Sequence, residues 1–418
     1  MLYERWRKIA AERRDEIALR DFISGERWTF GQLFSEGESR KSSGGKIVFP
    51  TGHSPEFIFQ LLAAWRENKI VCPLESGQGG ASVPASQLTS PIVHLKSTSA
   101  TTGNSRFVAF TAEQLLADAK NIVTTMGLRA DWANLGVISL AHSYGFSNLI
   151  LPLLLRGIPL ILAPAPLPEI VRRAAENEKF LTLAAVPAMW RAWHEANAIP
   201  KNVGLAISAG APLPLNLEQE IFNSRGLKIH NFYGSSECGG IAYDTTEIPR
   251  TDSAFAGTPM QNVHLSLNDD GCLMVKSRAV AETYWPEKYK SLGDGIFQTT
   301  DLAELKDGEV FLRGRLSDQI NVAGRKISPE TIERALLANP KVRDCLIFGA
   351  PSRDAERTEN IVAVVVSNAT ELELRKFLLE KFPAWQVPRE WIFVDSLSAN
   401  ARGKISRAEW RKQFEAKK

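Results

Sequence analysis

Short apolar runs alternate with segments of helical periodicity along the first 235 residues of the chain. Runs that predict strands cover residues 17–22, 46–50, 70–74, 91–95, 107–110, 136–140, 159–162, 181–186, 203–208 and 227–233. Helical spacing of apolar side chains at 54–67, 111–126 and 169–177 predicts helices between them. Strands that alternate with helices in this way are typical of an α/β fold built around parallel sheets.

The rest of the chain shows two further patterns. Residues 255–313 contain short strand-like runs, a turn at Asp269-Asp270-Gly271 and no long helical pattern, so we expect a small β-rich subdomain. From Arg315 to the C-terminus, strands and helices alternate again. This change predicts a boundary between a large N-terminal domain of layered α/β sheets, 1–314, and a small α+β domain, 315–418.

Composition and charge narrow the class of protein. The chain has 418 residues and a formal net charge of +3, which is too small to indicate a nucleic-acid partner. Its four cysteines lack the spacing of metal ligands, so we expect reduced thiols in a cytoplasmic protein. The first 16 residues are charged and lack the apolar region of a signal peptide. The most apolar stretch, 149–163, contains Arg156 and two prolines, so we expect no membrane span.

A run of hydroxyl residues between two predicted strands is the first candidate for chemistry. Residues 97–105 are Ser-Thr-Ser-Ala-Thr-Thr-Gly-Asn-Ser, and Arg106 follows them. Backbone N–H groups and hydroxyls in such a turn can surround an anion, and a guanidinium adds a charge that matches phosphate. The run does not contain the G-x-x-x-x-G-K-[ST] pattern of a P-loop, and a solvated loop is the simpler alternative.

Four further motifs follow the hydroxyl-rich run along the chain. They are Asn231-Phe232-Tyr233-Gly234-Ser235-Ser236-Glu237, Phe297-Gln298-Thr299-Thr300-Asp301, Gly314-Arg315-Leu316-Ser317-Asp318 and Arg402-Gly403-Lys404-Ile405. In this order and spacing, the five motifs resemble those of the adenylate-forming superfamily, which includes the acyl- and aryl-CoA synthetases. The resemblance covers residues 90–410. It implies ATP as cosubstrate, together with Mg²⁺.

The resemblance implies a set of groups around the phosphates of ATP. The residues that would bind the β- and γ-phosphates are Thr98, Ser99, Thr101, Thr102, Gly103 and Arg106. Ser236 matches a hydroxyl residue beside the α-phosphate, and Glu237 matches the metal-binding glutamate. One carboxylate together with phosphate oxygens suits Mg²⁺, which takes oxygen ligands and keeps several waters.

The nucleoside part of ATP has its own implied contacts. Tyr233 matches the aromatic residue that stacks on adenine, and Gly210-Ala211-Pro212 matches the backbone that passes over the purine. Asp301 matches the aspartate that accepts both ribose hydroxyls, which a carboxylate can do with its two oxygens. The nucleotide site is completed by Asn231, Gly234 and Arg315.

The resemblance also implies groups that act on the acid. Lys404 matches the lysine that pairs with the carboxylate and the α-phosphate, and His142 matches a histidine near the acyl carboxylate. Members of the superfamily rotate their small C-terminal domain between two half-reactions, which would make this domain mobile and place its hinge at Leu316–Ser317. The acyl group would then pass to the thiol of CoA or of the phosphopantetheine arm of an acyl carrier protein.

Only a set of small and apolar residues in the predicted pocket indicates which class of acid would bind. Candidate pocket residues are Val186, Ser208, Ala209, Ser235, Gly239 and Gly240. They include no countercharge for a second carboxylate, so we expect an aryl or medium-chain acyl monocarboxylate.

A non-catalytic protein is the alternative hypothesis. Ala100, Ser105 and Arg106 stand where the superfamily usually has Gly, Pro and Lys. These changes are compatible with a degenerate protein that binds a nucleotide or an acyl group without turnover. The charged groups that the reaction needs are nevertheless all present in the sequence, so we expect an active ligase.

Overall fold

The structure is a computed structural model that describes residues 1–43, 45–77, 91–98, 106–352, 358–397 and 406–416. Some of the predicted site residues lie outside the described residues: Ser99, Thr101, Thr102, Gly103 and Lys404. The side chain of Thr98 is also outside them. Every other predicted site residue is described.

The N-terminal region places helices against short strands. Its elements are α1 (Leu2–Glu12), β1 (Ile17–Asp21), β2 (Arg27–Thr29), α2 (Phe30–Ser39), β3 (Ile47–Val48), α3 (Pro55–Arg66) and β4 (Ile70–Val71). Helix α2 begins at a capping box, in which Thr29 and Gln32 each accept a hydrogen bond from the other's backbone N–H. Strands β1, β3 and β4 and helix α3 agree with the predicted runs, which did not include the short strand β2.

Residues 92–243 contain the alternating strands and helices that the apolar pattern predicts. The elements are β5 (Ile92–Thr98), β6 (Arg106–Thr111), α4 (Ala112–Met126), β7 (Ala133–Gly136), α5 (Ser143–Gly145), a π-helix (Phe146–Ile150), α6 (Leu151–Arg156), β8 (Leu160–Leu162), α7 (Pro168–Ala175), β9 (Leu181–Ala185), α8 (Pro187–Glu195), β10 (Val203–Ser208), α9 (Leu215–Arg225), β11 (Ile229–Ser235) and β12 (Gly239–Tyr243). Helix α4 has a capping box at Thr111 and Gln114 and ends at Gly127 in the left-handed conformation.

Three expectations for this region need correction. The predicted strand at 136–140 is wrong, because pairing with β8 and β9 ends at Gly136. The strand predicted over 227–233 is too short at its end, since Gly234 and Ser235 extend β11 by pairing with β12. Helices α8 and α9 have no predicted counterpart. Pro187, which stops the predicted strand 181–186, is the first residue of α8, and α9 begins directly after its N-cap residue Pro214.

The β-rich subdomain is confirmed over residues 255–315. Its strands are β13 (Phe255–Pro259), β14 (Val263–Leu267), β15 (Cys272–Ser277), β16 (Thr283–Trp285), β17 (Leu292–Gly293), β18 (Ile296–Lys306) and β19 (Glu309–Arg315). The predicted turn between β14 and β15 closes with a hydrogen bond of 2.9 Å from the Gly271 N–H to the Asn268 carbonyl. Gly271 has φ +76°, which explains why glycine ends this turn.

The C-terminal region is a small α+β unit, as predicted. After a 3₁₀ turn (Leu316–Asp318) come β20 (Ile320–Val322), β21 (Arg325–Ile327), α10 (Pro329–Leu337), β22 (Val342–Pro351), β23 (Glu359–Ser367), α11 (Glu371–Leu379), a second 3₁₀ turn (Ala384–Gln386), β24 (Glu390–Phe393) and α12 (Arg407–Ala416). Its buried side chains, which include Ile332, Ile347 and Leu374, form a hydrophobic cluster of their own. The exact boundary at Arg315 stays a prediction.

Strand β11 joins the two kinds of sheet. Among the described strands, the largest sheet has the order β14-β15-β18-β19-β13-β12-β11-β10-β9-β7-β8-β1-β2. Strand β11 is parallel to β10 and antiparallel to β12. A second sheet has the order β16-β6-β5-β4-β3, in which β5 and β6 form an antiparallel hairpin. The predicted parallel layers are confirmed, and the β-rich subdomain extends the first of them.

Candidate active site

The hydroxyl-rich run connects the two strands of the β5–β6 hairpin, as the sequence predicts. Thr98 pairs with Arg106 at the loop end of this hairpin, and the residues between them lie outside the described ranges. The Arg106 guanidinium lies 5.1 Å from the ring centroid of Tyr284 and 4.1 Å from that of Tyr289. Two aromatic rings therefore hold the first cation after the run in a defined position.

The turn between β11 and β12 carries Ser236 and Glu237. The Tyr284 hydroxyl donates a hydrogen bond of 3.1 Å to Glu237 Oε1. Burial and the charge of Glu237 raise the pKa of Tyr284, so its hydroxyl remains a donor. Since Tyr284 also contacts Arg106, one tyrosine links the predicted metal-binding carboxylate to the predicted phosphate-binding cation. The sequence analysis did not find Tyr284, which lies in a β16 segment without a local chemical signal.

His142 stands immediately before α5 and faces a carboxylate that the sequence analysis also missed. Its Nε2 lies 3.4 Å from Glu75 Oε1, and the Ser139 hydroxyl donates to the same oxygen at 2.6 Å. On the neighbouring residue, the Ser143 hydroxyl donates to Ser236 Oγ at 2.9 Å. The segment around His142 thus contacts the Glu237 turn. Glu75 directly follows the apolar run 70–74, and this position after a strand was the signal that could have revealed it.

Tyr233, Asp301 and Arg315 meet although they come from three motifs. The Tyr233 hydroxyl donates to Asp301 Oδ2, and Arg315 Nε donates to Asp301 Oδ1 at 2.9 Å. Burial first, and Asp301 next, raise the pKa of Tyr233 well above its ordinary value, so the phenol stays protonated and donates. The side chains predicted to hold adenine and ribose therefore form one hydrogen-bonded group.

The segment predicted to cover the purine follows β10. Gly210, Ala211 and Pro212 are exposed, and Gly210 has φ +84°, which favours glycine. The next carbonyl, that of Leu213, accepts a hydrogen bond of 2.7 Å from the buried Arg250 guanidinium. This contact fixes one end of the exposed segment.

Two other residues predicted for the nucleotide site have structural reasons for their identity. The Asn231 amide donates to the Phe255 carbonyl at 3.4 Å, which connects β11 to β13. A Cβ on Gly234 would lie 2.6 Å from the Gly239 carbonyl oxygen, so only glycine fits at this position, where β11 packs closely against β12.

The predicted acid pocket is partly filled by protein atoms. Val186, Ser208 and Ala209 lie at the carboxyl ends of β9 and β10, and the last two are buried. Gly239 and Gly240 are also buried, and side chains there would collide with Asp118 and Met260 respectively. The sixth residue, Ser235, has its hydroxyl 3.2 Å from Cys238 Sγ.

All four cysteines of the chain are buried free thiols, as expected.

Ser317 of the predicted hinge is exposed. The Ser317 hydroxyl donates to the adjacent Asp318 carboxylate at 3.0 Å. Asp318 pairs in turn with Arg407 at 3.0 Å, and Arg407 begins helix α12 three residues after Lys404. The hinge segment and the segment that follows Lys404 therefore share one ion pair.

Within the described ranges, no group of three or more His, Cys, Asp or Glu side chains is arranged to hold a metal ion. A single carboxylate at Glu237 fits a cation whose other ligands are phosphates and water. None of the helices in the described part of the chain is long and apolar enough to cross a membrane.

Comparison with known proteins decides the family. Residues 92–285 match the family described as AMP-binding enzyme, and residues 331–404 match the AMP-binding enzyme C-terminal domain. Together the two matches span more than half of the chain. The chain belongs to the AMP-binding family of adenylate-forming enzymes. Within this family it is similar to acyl- and aryl-CoA ligases.

Two relatives of this AMP-binding enzyme are 29% and 27% identical to it over the residues that match. Feruloyl-CoA synthase of Amycolatopsis sp is 29% identical over 344 residues, which cover 76% of this chain and 69% of the relative. The uncharacterized acyl–CoA ligase YhfT of Bacillus subtilis is 27% identical over 248 residues, which cover 57% of this chain. The matched part spans about half of that relative, 51%.

Solved structures confirm the fold of the AMP-binding enzyme. ATP-bound MatB from Rhodopseudomonas palustris has a TM-score of 0.86 at 18% identity, covering 99% of each chain. The o-succinylbenzoate CoA synthetase MenE of Bacillus subtilis, in complex with its acyl-adenylate intermediate, has a TM-score of 0.83 at 20% identity. That match covers 98% of this chain and 97% of MenE.

Proposed function

We propose that this protein is an ATP-dependent acid–thiol ligase. In the first step, a carboxylate oxygen of the acid bonds to the α-phosphorus of ATP and pyrophosphate leaves. In the second step, a thiolate sulfur bonds to the acyl carbon of the adenylate and AMP leaves with the former carboxylate oxygen. The products are AMP, pyrophosphate and a thioester.

The observation that carries this proposal is the arrangement of groups along the β11–β12 hairpin. At one place on β11, Tyr233 joins Asp301 and Arg315, which suit a nucleoside. At the turn, Glu237 joins Tyr284, which contacts Arg106 of the hairpin that carries the hydroxyl-rich run. A nucleotide that followed the hairpin would have its ribose at the first group and its phosphates at the second.

The chain's own groups would assist adenylation by binding and orienting charge. Arg106 and the hydroxyl-rich run would hold the β- and γ-phosphates, and Lys404 would neutralise the approaching carboxylate and the α-phosphate. His142, oriented by Glu75, lies next to the Glu237 turn and would face the acyl carboxylate. When bound at Glu237, Mg²⁺ supplies charge neutralisation for the phosphates.

We further propose a rotation of the C-terminal unit between the two steps. Its support is the separate hydrophobic cluster of this unit and the exposed Ser317 before it. Ser317 and Leu316 would act as the hinge, with Lys404 near the nucleotide in the first step only.

The acid we propose is an aryl or medium-chain acyl monocarboxylate. The described pocket positions Val186, Ser208 and Ala209 carry no charge, which disfavours a second carboxylate. The thiol would be that of CoA or of a carrier-protein phosphopantetheine, in the cytoplasm. One relative, a plipastatin synthase from Bacillus subtilis, is 25% identical over 368 residues, and this motivates testing carrier proteins.

A panel assay tests the proposal. The protein is mixed with ATP, Mg²⁺ and single acids, including benzoate, cinnamates, fatty acids, succinate and amino acids, and pyrophosphate release is measured. We expect release with an aryl or medium-chain acid. Binding of AMP by calorimetry without release for any acid would favour the degenerate alternative, and a succinate or amino-acid optimum would contradict the proposed substrate class.

A second assay separates the two thiol acceptors. With the best acid, thioester formation is followed by mass spectrometry in the presence of CoA or of a phosphopantetheinylated carrier protein. Formation with free CoA alone identifies a CoA ligase. Formation with the carrier alone identifies a carrier-protein ligase.

A further inference from the structure

A network of buried polar side chains lies behind the candidate nucleotide site and takes no part in the proposed chemistry. It contains Lys96 of β5, Asp118 of α4 and Ser147 of the π-helix. Lys96 and Asp118 are each only 2% exposed. Burying two opposite charges so deeply is costly, and a well-packed apolar pair is often as stable. The two buried charges, which Ser147 bridges, therefore need a reason other than stability.

The hydrogen bonds of the network connect four elements and converge on the Asp118 carboxylate. Lys96 Nζ donates to Ser147 Oγ at 3.3 Å, and the Ser147 hydroxyl donates to Asp118 Oδ2 at 2.6 Å. The other carboxylate oxygen, Asp118 Oδ1, accepts the backbone N–H of Gly240 in β12 at 3.3 Å. The ammonium also lies 4.5 Å from the ring centroid of Phe110 in β6.

Two further features show that the network is closely fitted to the β11–β12 hairpin. Gly239 has φ +68°, and a Cβ there would collide with the Asp118 carboxylate. Glycine thus lets the hairpin backbone close on Asp118. Burial lowers the pKa of Lys96 and raises that of Asp118, and the charge of each group opposes the shift of the other. The two charges therefore depend on each other.

Three residues of the network each lie close in sequence to one part of the candidate site. Lys96 lies directly before Ser97, where the hydroxyl-rich run begins. Ser147 lies five residues after His142, and Gly240 lies three residues after Glu237. The network thus joins the segments that carry the phosphate-binding run, the acid-facing histidine and the metal-binding carboxylate.

We propose that Lys96 and Asp118 are positioning residues that fix the Glu237 turn relative to strand β5, from which the hydroxyl-rich run continues. Hydrogen bonds to charged groups are directional, and a buried network with its partners satisfied has one preferred arrangement. An apolar pair would fill the same space but would leave the hairpin free to shift. A shift of about 1 Å in such a site can cost about a hundredfold in rate. This inference rests on the proposed function.

The test compares a charge-free pair variant with a matched control. Lys96→Met with Asp118→Leu removes both charges and retains bulk. The control is Arg20→Met with Glu178→Leu, which removes a partly buried ion pair far along the sheet, between β1 and the segment after α7. Thermal unfolding shows that each variant folds, and the KM for MgATP, the KM for the acid and kcat are then measured.

We expect the Lys96/Asp118 variant to raise the KM for MgATP at least about tenfold and to lower kcat about 10- to 100-fold. The KM for the acid should change much less, and the control variant should keep wild-type kinetics. Lys96→Met with Asp118→Asn keeps an oxygen for the Gly240 N–H, so it should recover much of the MgATP affinity. Wild-type kinetics in the charge-free variant, or equal losses for both substrates, would overturn the proposal.

A second variant and a second measurement cover the cases in which the charge-free variant does not fold or the wild-type protein shows no activity. If the charge-free variant does not fold, Ser147→Ala removes the bridging hydroxyl alone, and an unchanged KM for MgATP in that variant would overturn the proposal. If the wild-type protein releases no pyrophosphate, the proposed function fails, and amide hydrogen exchange at Gly240 decides the positioning role separately. Exchange should be faster in the charge-free variant than in the wild type, and equal rates would overturn the role.

Discussion

The Tyr233 hydroxyl donates a hydrogen bond to Asp301 Oδ2 across 68 residues of sequence, which joins β11 of the large sheet to β18 of the β-rich subdomain. Arg315 Nε donates to the other oxygen of the same carboxylate at 2.9 Å. Two donors from separate segments therefore hold Asp301 in one orientation. A carboxylate held in this way is ready to accept the hydroxyls of a ribose without reorganisation.

Asp301→Asn should weaken ATP binding. The amide keeps the size of the side chain but replaces one acceptor oxygen with a donor. Because hydrogen bonds to charged groups contribute about 1.5–3 kcal/mol, we expect the KM for ATP to rise about 10- to 100-fold. Steady-state kinetics measure this, with Asp269→Asn in the exposed β14–β15 turn as the control. An unchanged KM for ATP in Asp301→Asn would remove Asp301 from the nucleotide site.

Glu237→Gln should change the dependence on Mg²⁺. Loss of the carboxylate charge weakens the only protein ligand proposed for the ion, so the Mg²⁺ concentration at half-maximal rate should rise about tenfold or more. Tyr284→Phe is the matched control, since it removes the donor to Glu237 but keeps the carboxylate. It should have a smaller effect. A Mg²⁺ titration that is the same for Glu237→Gln and wild type would contradict the assignment.

Lys404→Ala should affect the first step alone. Removing one charge that stabilises the reacting groups costs about 10²–10³-fold in rate, so pyrophosphate release should fall by that factor. Thioester formation from a supplied acyl-adenylate should continue, because Lys404 is proposed to leave the nucleotide before that step. Lys412→Ala, an exposed lysine of α12, is the control. Equal losses in both half-reactions would contradict the proposed rotation.

The pH dependence of stability should contain a contribution from Glu333. Burial raises the pKa of Glu333 from 4.5 to about 7, although Arg407 and the Ile347 N–H oppose this shift. Between these pH values the folded state binds more protons than the unfolded state, so stability is lost as the pH rises through about 7. We expect unfolding of the C-terminal unit to become easier from about pH 5 to about pH 8, by up to about 3 kcal/mol.

Denaturant unfolding of the wild type at both pH values measures this contribution. In Glu333→Gln the titrating group is absent, so the difference between the two pH values should shrink. A variant whose pH dependence matches that of the wild type would show that Glu333 does not titrate in this range.

The sequence predicted the parts of the site that depend on strand order and motif. The run that ends at Ser208 matches β10, and the run that ends at Tyr233 matches most of β11, which continues to Ser235. The motif spacing singled out Asp301 and Glu237, and the structure gives each a tyrosine donor. Their roles in ATP binding remain predictions.

The contacts between distant segments could not be predicted in this way. Glu75 meets His142 across the gap between two sheets, and Tyr284 reaches Glu237 from a short edge strand. Lys96 directly follows the predicted apolar run 91–95, but packing alone brings it to Ser147 of the π-helix. No local periodicity encodes such pairs, because tertiary packing brings them together.

Transfer of oxygen from the acid to AMP tests the central claim most directly. The best acid from the panel is labelled with ¹⁸O in its carboxylate and allowed to react with ATP and the thiol, and the AMP is analysed by mass spectrometry. Attack of the carboxylate on the α-phosphorus predicts one ¹⁸O atom in each AMP formed. Unlabelled AMP, or label found in inorganic phosphate with ADP as the nucleotide product, would contradict adenylate formation.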